Sequence, residues 1–201
     1  MSQTIEYFLA PSSPWTYLGH NRLADLLKDT GVTVRLFPMD LGGKVFPATG
    51  GLPLGQRSAQ RQAYRLVELK RFGEHLKMPL NVHPKFFPVS ADLAAKLIIA
   101  VQEKEGSVAA MVLTGLILSN VWVDEKNIAD PETLKSTLTS ANLSPEYLSL
   151  SEAPWVLDLY EQNTISAIDK GVFGSPSYIL NNEIFWGQDR LDFLSLRLTT
   201  G

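Results

Sequence analysis

The chain has 201 residues and a net charge of −3, with 45% hydrophobic and 19% charged residues, as in ordinary globular domains. It contains no basic run, so a nucleic-acid partner is not expected. The absence of cysteine excludes disulfides, thiolate metal sites and cysteine nucleophiles, and the three histidines lack the spacing of metal ligands. No segment is apolar for long enough to cross a bilayer and no signal-peptide pattern is visible. We therefore expect a cytoplasmic protein without a membrane partner.

The first thirty or so residues predict a strand, a tight turn and a helix. Residues 5–9 alternate in hydrophobicity as a strand does, and residues 18–27 carry apolar side chains at helical spacing. Pro14 suits the first helical position, which makes Ser13 the N-cap. A hydroxyl beside free backbone N–H groups, at the positive end of a helix dipole, stabilises an anion. From these residues alone, helix capping explains Ser13 equally well.

A second strand and a long loop come next. Residues 32–37 follow Gly31 and have strand character, so strand, helix and strand form a βαβ unit with parallel strands. Residues 40–53 are rich in glycine and proline and predict a loop that leaves the sheet. Lys44 lies in this loop, where a solvated surface lysine is the usual case.

Residues 56–76 predict a helix that carries several arginines. They are Arg57, Arg61, Arg65 and Arg71. An arginine-bearing helix face is ordinarily solvated surface, but Arg61 is the candidate for attracting a substrate carboxylate, which a guanidinium can bind bidentately. In the following loop, Phe87 either lines an apolar pocket or packs over the core, which is the commoner case.

The middle of the sequence, residues 56–151, predicts helices and no strand. Ser90 is predicted to cap a helix that runs to residue 103. Residues 107–122 are almost wholly apolar, which predicts a helix buried on all sides. Residues 154–170 predict a longer helix that ends at Gly171.

Strand character returns only near the end of the sequence. Residues 177–180 and 183–186 predict a hairpin, with Asn181 and Asn182 in a two-residue turn of the kind that tolerates positive φ. A last helix follows Gly187. The order is therefore β-α-β, a helical block, then α-β-β-α, which is the thioredoxin plan with a large all-helical insertion. We predict an α/β thioredoxin-like domain from residues 1–53 and 154–201, with the insertion in residues 54–153.

Several short motifs, in chain order, then show a specific resemblance. Residues 13–16 occupy the place of the Cys-Pro-x-Cys motif of thioredoxin-like proteins, and residues 174–177 resemble the loop that carries their cis-proline. The chain resembles the family of 2-hydroxychromene-2-carboxylate isomerases and kappa-class glutathione transferases, which are DsbA-like in having a helical insertion. The segments that carry the resemblance are residues 13–18, 39–43, 64–79, 120–122, 172–176 and 186–191.

The resemblance implies that glutathione is the cofactor. In this family a serine takes the cysteine position, so Ser13 would be the catalytic residue and would donate its hydroxyl to the glutathione sulfur. Pro176, predicted to be cis, would present the backbone of Ser175 to the cysteinyl part of glutathione as an added strand. The residues that would hold the γ-glutamyl end are Trp186, Gly187, Gln188 and Asp189. For Asp189, helix capping is a compatible alternative.

The resemblance also implies an isomerase of aromatic-compound degradation, in which the thiolate adds reversibly to a small aromatic substrate. Lys44, Arg61 and Phe87 would bind that substrate, and a homodimer is expected by resemblance. The sequence departs from the family at residues 50–53, which lack the usual asparagine, and at Ser175, where a larger apolar residue is common. Two alternatives remain open: a kappa-type transferase that conjugates glutathione to electrophiles, and a thioredoxin-fold binding protein without catalysis.

Overall fold

Strands from both ends of the chain meet in a mixed sheet. The computed structural model describes residues 3–200, and within them the strand order is β2-β1-β3-β4. The strands are β1 (Thr4–Leu9), β2 (Thr33–Pro38), β3 (Ser177–Leu180) and β4 (Glu183–Trp186). β1 and β2 are parallel, as predicted, while β3 runs antiparallel to both of its neighbours. Asn181 and Asn182 form the predicted turn, with φ of 51° and 66°.

Helices fill the sequence between β2 and β3, and no strand occurs there among the described residues. In chain order the α-helices are α1 (Pro14–Thr30), α2 (Phe46–Thr49), α3 (Ala59–His75), α4 (Asp92–Glu105), α5 (Ser107–Trp122), α6 (Pro131–Ser140), α7 (Tyr147–Leu150), α8 (Pro154–Asp169) and α9 (Leu191–Thr200). This arrangement confirms the thioredoxin-like fold with a helical insertion. None of the described helices is both long enough and apolar enough to span a membrane.

Helix α1 begins and ends where its sequence predicts. Ser13 is the N-cap, its Oγ accepting a hydrogen bond from the Thr16 N–H at 3.2 Å, and Pro14 takes the first helical position. Gly31 ends the helix with φ of 67°, a left-handed conformation that glycine adopts without penalty. The turn between β1 and α1 is therefore fixed at both ends by local chemistry.

One apolar cluster joins the sheet to the helical block. It contains the fully buried Tyr7 of β1, Leu18 of α1, Leu97 of α4 and Trp122 of α5. Buried contact of this kind is the main source of stability in globular domains. The insertion therefore packs directly on the thioredoxin-like part, and its boundaries at residues 54 and 153 stay a prediction.

The structure corrects three local expectations. The predicted loop at residues 40–53 contains a π-helical turn at Leu41–Val45 and the short helix α2. α4 begins at Asp92 with Ala91 as its N-cap, one residue after the predicted Ser90. α5 is not buried on all sides, because Val108 and Val112 are 82% and 53% exposed. An apolar composition marks the sides of α5 that pack on α1, α4 and α6, but it does not show that every side is covered.

Candidate active site

A cavity of about 1110 Å³ opens at the N-terminus of α1. It is bounded by the turn between β1 and α1, by the segment after β2, by α3 and by the loop before β3. Most of the residues predicted for the site line it: Ser13, Arg61, Phe87, Ser175, Trp186, Gly187, Gln188 and Asp189. Lys44 is not among the lining residues, since its ammonium group pairs with the carboxylate of Glu161 on α8. The fold thus brings together residues from both ends of the chain and from the helical block.

Three side chains, Ser13, Thr16 and Ser175, form a buried hydroxyl cluster at one end of the cavity. Ser13 Oγ donates to the Ser175 carbonyl at 3.2 Å. Ser175 Oγ accepts from the Ala10 N–H at 2.8 Å and shares a hydrogen bond of 2.8 Å with Thr16 Oγ1. The cluster ties the first turn of α1 to the loop before β3. Thr16 and the Ser175 hydroxyl were missed as site features, although Thr16 stands at the second cysteine position of the related motif.

The loop before β3 has the backbone form that the sequence predicts. The peptide bond between Ser175 and Pro176 is cis, and the Pro176 carbonyl accepts from the Gly187 N–H at 2.9 Å. This loop and the end of β4 are therefore joined. The positive end of the α1 dipole and the Ser13 hydroxyl face the same cavity, a combination that stabilises a bound anion.

Residues 186–189 form the rim of the cavity beside that loop. Trp186 packs on Phe173, with ring centroids 4.6 Å apart, and on Gly174, where a Cβ would lie 2.2 Å from the indole nitrogen. Gly187 has φ of 106°, a conformation that other residues rarely adopt. The absence of a side chain at Gly174 thus lets the indole lie against the loop.

The two polar residues of the rim have different partners. Gln188 is buried, and its side-chain oxygen and backbone carbonyl both accept from Arg22 Nη1 at 2.8 Å. Asp189 is accessible and pairs with Arg190 at 2.6 Å. The Gln188 side chain is therefore bound to Arg22 of α1. The carboxylate of Asp189, in contrast, is accessible at the rim of the cavity.

A row of three arginines lines another part of the cavity: Arg57, just before α3, and Arg61 and Arg65, on α3. Arg57 donates from Nε to the Leu52 carbonyl at 2.8 Å. The Arg65 guanidinium lies 5.1 Å from the ring centroid of Phe87 and 5.8 Å from that of Trp122. Burial, with the nearby charge of Arg57, lowers the pKa of Arg65 to about 10. Only Arg61 was predicted to bind substrate, although Arg65, four residues further on, lies on the same face of α3. The helix begins at Ala59, so Arg57, which was predicted to lie on it, precedes it.

The rings of Trp15, Phe72 and Phe87 form the apolar wall next to this row, with the buried ring of Trp122 behind Phe87. Trp15 and Phe72 make an edge-on contact with centroids 6.0 Å apart, and Phe87 lies tilted against Trp122 at 4.8 Å. Such rings bind planar apolar ligands well. The cavity therefore has a hydroxyl end, an aromatic wall and a cationic end.

A buried polar pair supports α1 beneath the hydroxyl cluster. His20 Nε2 lies 2.9 Å from the Met111 carbonyl, which can only accept, so Nε2 carries the proton. Nδ1 then accepts from the Tyr7 hydroxyl at 3.2 Å. Burial lowers the pKa of His20 to about 4, so the imidazole is neutral at physiological pH.

Known proteins share this architecture over nearly the whole chain. The family model of the DSBA-like thioredoxin domain matches residues 4–199. A 2-hydroxychromene-2-carboxylate isomerase of Pseudomonas putida is 28% identical over 197 residues, covering 94% of this chain and 91% of that protein. One of Sphingobium xenophagum is 25% identical over 195 residues, covering 96% and 97%.

The structural comparison agrees with these matches. A solved 2-hydroxychromene-2-carboxylate isomerase superposes with a TM-score of 0.78 at 23% identity, over 98% of this chain and 94% of that one. This similarity is one of fold. With the family model covering nearly every described residue, the chain belongs to the family of DSBA-like thioredoxin domains.

Proposed function

We propose that the protein is a glutathione-dependent isomerase of the 2-hydroxychromene-2-carboxylate type. The observation that carries the proposal is the position of Ser13, whose hydroxyl meets the cavity at the N-terminus of α1 beside the cis-proline loop. Relatives named as such isomerases over most of the chain support the same reaction class. The cytoplasmic location and the homodimer stay predictions.

The residues around Ser13 fit a thiol-bearing peptide. Ser175 lies in the loop just before β3 with its backbone beside the cavity, where an extended peptide can pair with it as an added strand. Asp189 at the rim is suited to an ammonium group and the Ser13 hydroxyl to a sulfur. A cavity of about 1110 Å³ holds a tripeptide together with a small aromatic molecule.

Ser13 favours the ionised form of a sulfur bound in front of it. Its hydroxyl, which now donates to the Ser175 carbonyl, can rotate to donate to the sulfur, and the α1 dipole acts in the same direction. When bound, glutathione supplies a thiol that adds to a conjugated carbon of the substrate and later leaves. The chain itself has no cysteine, so no protein disulfide can form in this site.

Calorimetric titration with glutathione tests the proposal. We expect the wild-type protein to bind glutathione and to isomerise 2-hydroxychromene-2-carboxylate. Ser13→Ala should lose activity by about a hundredfold or more, because it removes a hydrogen bond to a charged reacting atom. The ultraviolet absorbance of the bound thiolate should fall in the same variant.

A control separates catalysis from helix capping. Asp130 caps α6 as Ser13 caps α1, and Asp130→Ala should cost similar stability, about 1 kcal/mol, without loss of activity. No heat and no thermal shift with glutathione would reject the proposal. Conjugation of chlorodinitrobenzene without isomerisation would favour the transferase, and binding without either reaction would favour a non-catalytic protein.

A further inference from the structure

The arginines divide into two groups according to their partners. Four arginines outside the cavity form ion pairs with carboxylates: Arg22, Arg35, Arg71 and Arg197. Arg190, at the rim of the cavity, pairs with Asp189. Arg57, Arg61 and Arg65 form none with any residue between 3 and 200, and all of them line the cavity. Arg61 and Arg65 lie about 6 Å apart along α3, given the rise of a helix, and Arg57 precedes the helix. These three guanidinium groups therefore have no carboxylate partner among the described residues, although the carboxylates of Asp40, Glu68, Asp92 and Asp189 also line the cavity.

Arg65 is the most constrained member of this row. Its guanidinium lies against Phe87 and Trp122, and its Nη2 is buried without a hydrogen-bond partner among the described residues. The buried indole nitrogen of Trp122 also lacks a partner there. Two unpaired donors thus lie in one cluster next to the cavity. Buried donors are normally paired, and an unpaired buried charge is costly, so an acceptor that binds here removes an existing penalty.

We propose that Arg65 is a specificity-determining residue that binds the carboxylate of the aromatic substrate, with Arg57 and Arg61 attracting it into the cavity. The inference rests on the proposed function and assigns a residue to the carboxylate of its substrate. Arg65 combines a planar cationic group with the cavity-lining ring of Phe87, and together they match a carboxylate on an aromatic ring. Neutral electrophiles of the same shape would leave the row unneutralised and bind less tightly.

A carboxylate could reach Arg65 from either of two molecules, the aromatic substrate or the glycine end of glutathione. The aromatic ring beside Arg65 favours the substrate, because a glycine carboxylate gains nothing from Phe87. Salicylate and salicylamide have the same ring, but only salicylate carries a carboxylate. Comparing their affinities therefore separates the contribution of the charge from that of the ring. Calorimetric titrations of both ligands, and of glutathione, therefore test the assignment.

We expect the wild-type protein, saturated with glutathione, to bind salicylate about tenfold or more tightly than salicylamide. Arg65→Gln should abolish this preference and leave glutathione affinity unchanged. Arg65→Lys should restore only part of it, because the ammonium cannot bind bidentately. Lys70→Gln removes one positive charge from the outer face of α3, where Lys70 forms only an exposed pair with Glu74, and should keep the preference.

A stability measurement adds a readout that does not depend on ligand. Without ligand, Arg65→Met should raise the midpoint of thermal unfolding, because it removes an unpaired buried charge; a merely structural arginine would lower it. Unchanged salicylate preference in Arg65→Gln would overturn the proposal, as would a loss confined to glutathione. If wild-type protein fails to bind glutathione, the proposed function fails, while titrations without glutathione still decide what Arg65 binds.

Discussion

The polar groups at the two ends of the cavity differ in whether they have partners within the protein. In the hydroxyl cluster each side chain has a hydrogen-bond partner within the protein, and Ser13 and Ser175 have two each. In the arginine row the charges lack carboxylate partners among the described residues, and Arg65 has an unpaired buried nitrogen. The hydroxyl end is therefore preorganised before anything binds, and the arginine end becomes fully paired only with a ligand. In the proposed function, the hydroxyl end positions the reacting sulfur and the arginine end selects the substrate.

The largest expected effect is a loss of stability at low pH, caused by His20 beneath the hydroxyl end. The unfolded chain takes up a proton on His20 near pH 6.5, whereas burial delays this in the folded chain to about pH 4. Between these values the unfolded state binds more protons, so the free energy of unfolding falls as the pH is lowered. The loss should reach about 3 kcal/mol at pH 4, measured by urea denaturation across that range.

Two variants isolate the contribution of His20. His20→Gln should flatten the pH dependence in this window, at the cost of lower stability near neutrality. His83→Gln removes an exposed histidine and should leave the profile as in the wild type. If stability falls with pH as steeply in His20→Gln as in the wild type, the acid sensitivity comes from other groups and not from the buried pair of His20 and Tyr7.

Ser175→Ala tests directly whether the hydroxyl cluster is preorganised. The change leaves the buried Ala10 N–H without its acceptor and removes the partner of Thr16 Oγ1. We expect a loss of about 2 kcal/mol in the free energy of unfolding, from chemical denaturation. Glutathione affinity should also fall, because the α1 turn is no longer tied to the loop before β3.

Ser140→Ala provides the control for this variant. Ser140 is exposed, its hydroxyl only donates to a carbonyl of its own helix, and its removal should change stability by less than about 0.5 kcal/mol. If Ser175→Ala behaves like Ser140→Ala, the contrast between the two ends of the cavity disappears.

The sequence predicted the fold well because local signals agree with one another. Pro14 and Gly31 bound α1, and the asparagine pair sets the hairpin, so each element is specified by its own residues. The exposed side of α5 could not be predicted, since apolar composition does not show whether a neighbour covers a given face. Coverage is a property of the assembled chain.

The site was less predictable for the same reason. Ser13 could be placed because capping chemistry and the family motif coincide at one residue. Arg65 could not, because its importance depends on Phe87 and Trp122, which the fold brings to it from distant parts of the sequence. The buried, Arg22-bound side chain of Gln188 likewise depends on how β4 meets α1.

The smallest expected effect concerns Lys44, which was predicted to bind substrate. Its ion pair with Glu161 is about half exposed on both sides, and pairs of this kind contribute about 1 kcal/mol or less. Lys44→Gln and Glu161→Gln break the same pair and should lower stability equally, with little change in the KM of the acid substrate. If Lys44→Gln alone raises that KM, and by as much as Arg65→Gln does, the lysine leaves Glu161 to bind substrate. The cationic end of the cavity would then extend beyond α3 to the segment after β2.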